Sequence, residues 1–197
     1  MCDQLRDQVV TQSYYTTYHD MEGITGFTYI QEYISTEEEH CIISALQEQE
    51  WDTTLSRRTL HYGWRYPYNA FSRLVEAAPI PEYLQSLRVR LETSLNNEFD
   101  QCIVNEYQPG KGIAPHIDHV GHFDDTIAVV SLGSDMVLQM KHHSKPVINI
   151  PIQARSSYVL QDIARYVYRH SIPRRKHDNL VPRRLRYSVT FRKTTRD

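Results

Sequence analysis

Apolar positions recur along this chain at two spacings, and the change from one to the other falls near Phe99. Before that point the period is helical. Ser35 or Thr36 offers an N-cap with Glu38 or Glu39 three residues on, and Ile42, Ala45 and Leu46 then share a side, which predicts a helix over 37–49. Pro79 and Pro81 introduce a second helix, in which Leu84, Leu87, Leu91 and Leu95 lie along one face. Ahead of both, residues 27–34 read as a strand.

Beyond Phe99 the texture becomes short runs rich in Ile, Val and Tyr, at 101–107, 126–132, 136–140, 147–152, 157–161 and 186–192. Several short strands separated by turn residues predict a sandwich or barrel. The cleanest alternation puts Tyr187, Val189 and Phe191 on one side and Arg186, Ser188, Thr190 and Arg192 on the other, a polar face turned to solvent or to a pocket. Residues 1–22 are polar and aperiodic, so a loosely held arm is expected ahead of a single domain over 23–197. Helices first and strands afterwards give an α+β fold with a jelly-roll-like core.

Composition narrows the class. A hydrophobic fraction of 40% and a charged fraction of 23% are those of a globular chain, and no apolar run is long enough for a membrane span. The first residues lack the basic and apolar segments of a secretory signal, and Cys2, Cys41 and Cys102 lie far apart, so reduced thiols in an intracellular compartment are expected. Net charge is -2, yet residues 155–197 hold 12 Lys and Arg against 3 Asp and Glu, a block that is either a solvated surface or a site for phosphate backbones.

The candidate chemistry begins with His116-Ile117-Asp118, because ligands at i and i+2 of a strand point to the same side. With a distant second histidine they would make the two-histidine, one-carboxylate set that suits non-haem Fe(II) and leaves coordination positions open. His122-Phe123-Asp124 has the same spacing, so the pattern alone does not choose.

The context chooses. Asn105-x-Tyr107-x-Pro-Gly110-x-Gly112-Ile113-x-Pro-His116-Ile-Asp118, then Ala164-Arg165-Tyr166-x-x-x-His170-x-Ile172, then Arg186-x-Ser188-x-Thr190-Phe191-Arg192 resemble, in order and spacing, the AlkB family of Fe(II)- and 2-oxoglutarate-dependent dioxygenases. The resemblance runs over about 101–193 and implies a double-stranded β-helix, or jelly-roll, core flanked by the two N-terminal helices. It implies Fe(II) on His116, Asp118 and His170, with 2-oxoglutarate and O2 as cosubstrates. Arg186 would clamp the distal carboxylate of 2-oxoglutarate with help from Tyr107, while Asn105, Ser188 and Arg192 complete the cosubstrate site. No further catalytic side chain is required.

Ser188 stands where several DNA-repair members carry asparagine, and the His119-Val-Gly-His122 turn is nearer the tRNA-hydroxylating branch. Residues 57–68 occupy the place of the family's substrate lid, and Arg57, Arg58, His61, Tyr62, Trp64 and Tyr66 interleave cations with aromatic rings as single-stranded nucleic-acid sites do. The same aromatics also read as a strand with buried rings. The expected activity is oxidative demethylation of DNA or RNA bases, in repair or RNA modification. The alternatives are hydroxylation of a tRNA wobble-base side chain or a protein, and a non-catalytic nucleic-acid-binding module. A monomer is expected.

Overall fold

The structure, a computed structural model, describes residues 17–66 and 73–195. The first helix starts where its capping chemistry requires. Ser35 Oγ accepts from the Glu38 N–H, and the Glu38 carboxylate accepts from the Ser35 N–H, both at 3.1 Å, so two of the orphan donors of α1 (Thr36–Gln47) are satisfied. α2 (Glu82–Leu95) begins after Pro81 and ends on Asn96 in the left-handed conformation. Ile42 and Leu46 of α1 and Leu84, Leu87 and Leu91 of α2 are buried in one cluster, as their spacing predicts.

The strands are β1 (Thr17–His19), β2 (Phe27–Ile30), β3 (Thr59–Tyr62), β4 (Trp64–Arg65), β5 (Val75–Glu76), β6 (Gln101–Tyr107), β7 (Ile113–His116) and β8 (Phe123–Leu132). There follow β9 (Met136–Lys141), β10 (Ile148–Ile152), β11 (Ser156–Leu160), a one-turn helix α3 (Asp162–Tyr166), β12 (Arg169–Ile172), β13 (His177–Asp178), β14 (Val181–Pro182) and β15 (Arg186–Thr194). Seven form one antiparallel sheet in the order β1-β2-β11-β8-β15-β6-β3, and four form a second in the order β10-β9-β12-β7. This is the expected α+β architecture with a jelly-roll core.

Alternation along the large sheet sends residues to two different cores. Cys102, Val104, Ala128, Val130, Tyr187, Val189 and Phe191 face outward and pack against the two helices. Tyr107, Ile127, Val129 and Tyr158 face inward, toward Leu138, Met140, Ile150 and Ile172 of the small sheet. The inner layer also holds the cavity described below.

Three expectations change. The strand expected over 27–34 stops at Ile30, because Glu32 turns with φ 50° and carries Tyr33 and Ile34 into the helix-facing core. Of the expected polar arm, residues 1–16 lie outside the described residues, and Thr17–His19 pair with β2 as an edge strand. The lid is not one element: Gly63, at φ 70°, separates β3 from β4, and Pro67 and Tyr68 lie outside the described residues.

Gly63 also has no room for a side chain, since a Cβ there would sit 1.9 Å from the Asp100 carbonyl oxygen. Gly63→Ala is expected to cost about 2 kcal/mol or more and to lower the melting temperature of the metal-free protein by several degrees. An unchanged melt would show that the β3–β4 junction relaxes freely.

Candidate metal centre

β7 and β12 pair antiparallel with His116 directly opposite His170, and the two imidazole rings lie 4.2 Å apart between centroids. Directly opposed residues are the closest side-chain neighbours a sheet provides. β7 ends at His116, so Asp118 is not placed by strand pleating as the i, i+2 spacing suggests; it sits in the following loop. Its Oδ1 nevertheless lies 3.4 Å from His116 Nε2 and 4.0 Å from His170 Nε2.

These three form a convergent ligand set, with candidate donor atoms all within 4.8 Å of one another, and no other such group occurs among the described residues. The alternative pair does not converge. His122 stacks on His119 at 4.2 Å while Asp124 stays exposed.

The protonation states suit a cation. Burial alone would raise the Asp118 carboxyl, but the Arg192 guanidinium beside it holds it well below the usual carboxylate range. Burial, reinforced by His116, pushes His170 down to about 3, which leaves a neutral ring with a lone pair. His116 Nδ1 lies 2.9 Å from the Ala114 carbonyl oxygen, a contact that orients the ring with Nε2 toward Asp118. Two imidazoles and one ionised carboxylate fit a divalent iron.

Two arginines hold the loop, Arg165 buried and Arg192 partly buried. Arg192 Nε donates to Asp118 Oδ2 at 2.8 Å, and its guanidinium lies 4.6 Å over the Phe123 ring. Arg165, 2% exposed, donates to the Asp118 carbonyl at 2.8 Å and the Phe123 carbonyl at 3.3 Å, with longer contacts to the carbonyls of His119 and Asp124. Sequence reasoning assigned Arg165 no role. A charged residue beside Ala164 in a run of 3.6 period gives no sign that its partners are main-chain oxygens 40 or more residues away.

A cavity of about 290 Å³ opens in front of the ligands. Alternate residues of β6 (Gln101, Ile103, Asn105, Tyr107) and of β15 (Ser188, Thr190, Arg192) line it, so the polar face seen in the sequence is a pocket wall. Arg57, His61 and Tyr66 line it as well.

Arg58, Tyr62 and Trp64 do not reach the cavity. Arg58 pairs with the Glu106 carboxylate and lies 5.1 Å over the Trp51 ring, while Tyr62 is buried in the helix-facing core with its hydroxyl 2.8 Å from that of Tyr83. The reason is strand parity: Thr59 and His61 face inward, Leu60 and Tyr62 outward, and Trp64 follows the turn at Gly63 onto β4.

Arg186 lies behind the wall made by Tyr107 and Tyr158 rather than in it. Its Nε donates to Ser131 Oγ at 3.0 Å, and its carbon centre is 5.4 Å over the Tyr107 ring. Both terminal nitrogens are buried with no hydrogen-bond partner among the described residues. A buried guanidinium with unmade bonds is costly, and an anion is the group that completes it. Burial pushes Tyr107 upward and Tyr158 up to about 12, so both stay neutral phenols able to donate. Tyr158 was also missed, since it sits in an apolar run that reads as core.

Arg165→Met is expected to destabilise the protein by about 3 kcal/mol or more and to weaken Fe(II) binding at least tenfold, measured by denaturant unfolding and metal titration. Retention of full iron affinity in a folded variant would remove Arg165 from the site.

A pH dependence also follows. Burial, with Arg65 nearby, pushes His61 down to about 4, and His170 stands at about 3, against 6.5 in the unfolded chain. Between about pH 6.5 and 4 the unfolded state binds protons that the folded state refuses, so stability is full above 6.5 and is lost as pH falls. The urea midpoint of metal-free protein should drop over that interval, and less steeply in His61→Gln.

Comparison with known proteins agrees with this geometry. Residues 26–192 match the family model described as the 2OG-Fe(II) oxygenase superfamily. The uncharacterized protein L905 of Acanthamoeba polyphaga mimivirus is 32% identical over 186 residues, covering 89% of this chain and 88% of that protein. The tRNA (carboxymethyluridine(34)-5-O)-methyltransferase alkbh8 of Xenopus tropicalis is 29% identical over 166 residues, 78% of this chain but only 26% of that longer protein. Among solved structures, OsALKBH1 superposes with a TM-score of 0.61 at 16% identity, over 85% of this chain and 96% of the other. The chain is a 2OG-Fe(II) oxygenase of the AlkB family, an oxidoreductase group that works with Fe(II), 2-oxoglutarate and O2.

Proposed function

We propose that this dioxygenase oxidises methyl groups on nucleic-acid bases held in single-stranded form. The observation that carries the reading is the pairing of a convergent iron-ligand set with a buried, unfilled guanidinium behind one cavity wall. His116, Asp118 and His170 hold the iron. Arg186, with Tyr107 and Tyr158 in front of it, takes the distal carboxylate of 2-oxoglutarate, a task for a planar and permanently charged group. Asn105, Ser188 and Thr190 line the stretch between.

When bound, iron and 2-oxoglutarate convert O2 and a substrate C–H bond into C–OH, with succinate and CO2 as co-products. The chain contributes binding, orientation and dryness. Ile127, Val129 and Leu138 line the cavity with hydrocarbon, and Arg192 fixes the Asp118 carboxylate that would hold the metal. Tyr66 and His119, with ring centroids 5.7 Å apart, offer flat surfaces suited to a base, and Arg57 on the same cavity is a cation suited to its phosphate. A hydroxylated N-methyl group is a hemiaminal that expels formaldehyde.

A second reading, stable hydroxylation of a tRNA base substituent, is favoured by the likeness to the tRNA methyltransferase of Xenopus tropicalis. Both readings make nucleic acid the partner and leave no catalytic role to an exposed nucleophile.

Incubation with Fe(II), 2-oxoglutarate, O2 and methylated DNA, RNA and tRNA strands should yield succinate together with formaldehyde and loss of the methyl mark. Gain of one oxygen without methyl loss would select the second reading. Strand binding without succinate would select a non-catalytic module. His116→Ala should abolish turnover, and Arg186→Gln should raise the KM for 2-oxoglutarate by roughly tenfold or more.

A further inference from the structure

Along β15, Arg186 pairs with Tyr107 at one end and Arg192 pairs with Gln101 at the other, six residues and about 20 Å away. The clamp for 2-oxoglutarate and Gln101 therefore mark opposite ends of the cavity. Gln101 belongs to the end joined to the metal, because Arg192 bridges it to Asp118, with Nε 2.8 Å from the carboxylate and Nη1 3.3 Å from the Gln101 amide.

That bridge fixes which way the amide faces. A guanidinium only donates, so the Gln101 oxygen must be the atom toward Arg192, and Nε2 must be the atom turned away. Gln101 is 0% exposed and lines the cavity, and its Nε2 has no hydrogen-bond partner among the described residues. Gln101 thus keeps a buried amide donor with an unmade bond on a pocket wall, whereas its neighbour's needs are met. A polar group in that position is accounted for by an acceptor that arrives with a ligand.

Two acceptors on the same cavity are already engaged. The Asn105 oxygen takes the Arg57 Nε at 2.7 Å, and Asp118 Oδ2 takes Arg192. Arg57 and Arg192 themselves can only donate. Against Gln101 Nε2 an incoming exocyclic amine would set donor against donor, whereas a ring carbonyl would complete it.

We infer that Gln101 reads the substrate, donating from Nε2 to a ring carbonyl, so that the site takes a uracil-type base in preference to one carrying an exocyclic amine at that position. The inference rests on the base-oxidising reading above and narrows it to keto pyrimidines.

Gln101→Glu separates the donor from the scaffold. The carboxylate still presents an oxygen to Arg192 but replaces the N–H by an acceptor, and glutamate accepts from the cytosine amine. Binding of single-stranded uridine and cytidine hexamers to the Fe(II)- and 2-oxoglutarate-loaded protein, without O2, is measured by fluorescence anisotropy, with a thermal melt of each variant.

Wild type should favour the uridine hexamer by about tenfold, and Gln101→Glu should lose that preference or reverse it. If the variant weakens both hexamers equally, Gln101 only supports Arg192 and the inference is overturned. Absence of a uridine preference in the wild type overturns it with no variant needed. Uridine-selective binding without oxidation of any base would sink the oxidative reading while leaving the Gln101 assignment, and oxidation without uridine selectivity would do the reverse.

Discussion

The whole site depends on keeping one carboxylate ionised while it is buried. Asp118 is 7% exposed, and a carboxylate removed from water neutralises itself unless opposite charge is supplied at short range. Arg192 supplies it from β15, and His116 and His170 bring ring nitrogens from β7 and β12. Three strands from two different sheets must therefore be in register before the anion is tolerable. Folding of the jelly roll and formation of the ligand set are, in that sense, one event.

Arg165 extends the same constraint to the backbone. The loop after β7 has to turn from a strand end back into β8 within six residues, which leaves several carbonyls pointing inward. The Arg165 guanidinium gathers two of them, at Asp118 and His119, and two more at the start of β8, so a second charge is buried to position the first. The arrangement is expensive in desolvation and is tolerable because every bond is short-range and most run to oxygen atoms already in place.

Much of this was legible in the chain. The helices announced themselves by Leu and Ile at helical spacing and by Ser35 with Glu38, and the alternation of 186–192 separated the helix-facing Tyr187, Val189 and Phe191 from a polar face of which Ser188, Thr190 and Arg192 line the cavity. Local rules served wherever the partner lay one turn or one strand residue away. They failed at Glu32 and Gly63, where a positive φ turns the chain; strand alternation sent His61 to the cavity and Tyr62 to the core, and the turn at Gly63 carried Trp64 onto β4. They failed again at Arg165 and Tyr158, whose roles come from partners distant along the chain.

The two-faced strands of the large sheet carry a consequence for how such a protein can change over generations. Residues 102 and 104 meet the helices while 101, 103 and 105 meet the cavity. A replacement at one set leaves the neighbours of the other untouched, so pocket shape and fold are written on separate sides of the same ribbon. A lineage can exchange the group it accepts through a few inward side chains apart from Asp118 and Arg192, with the helix-facing layer unchanged.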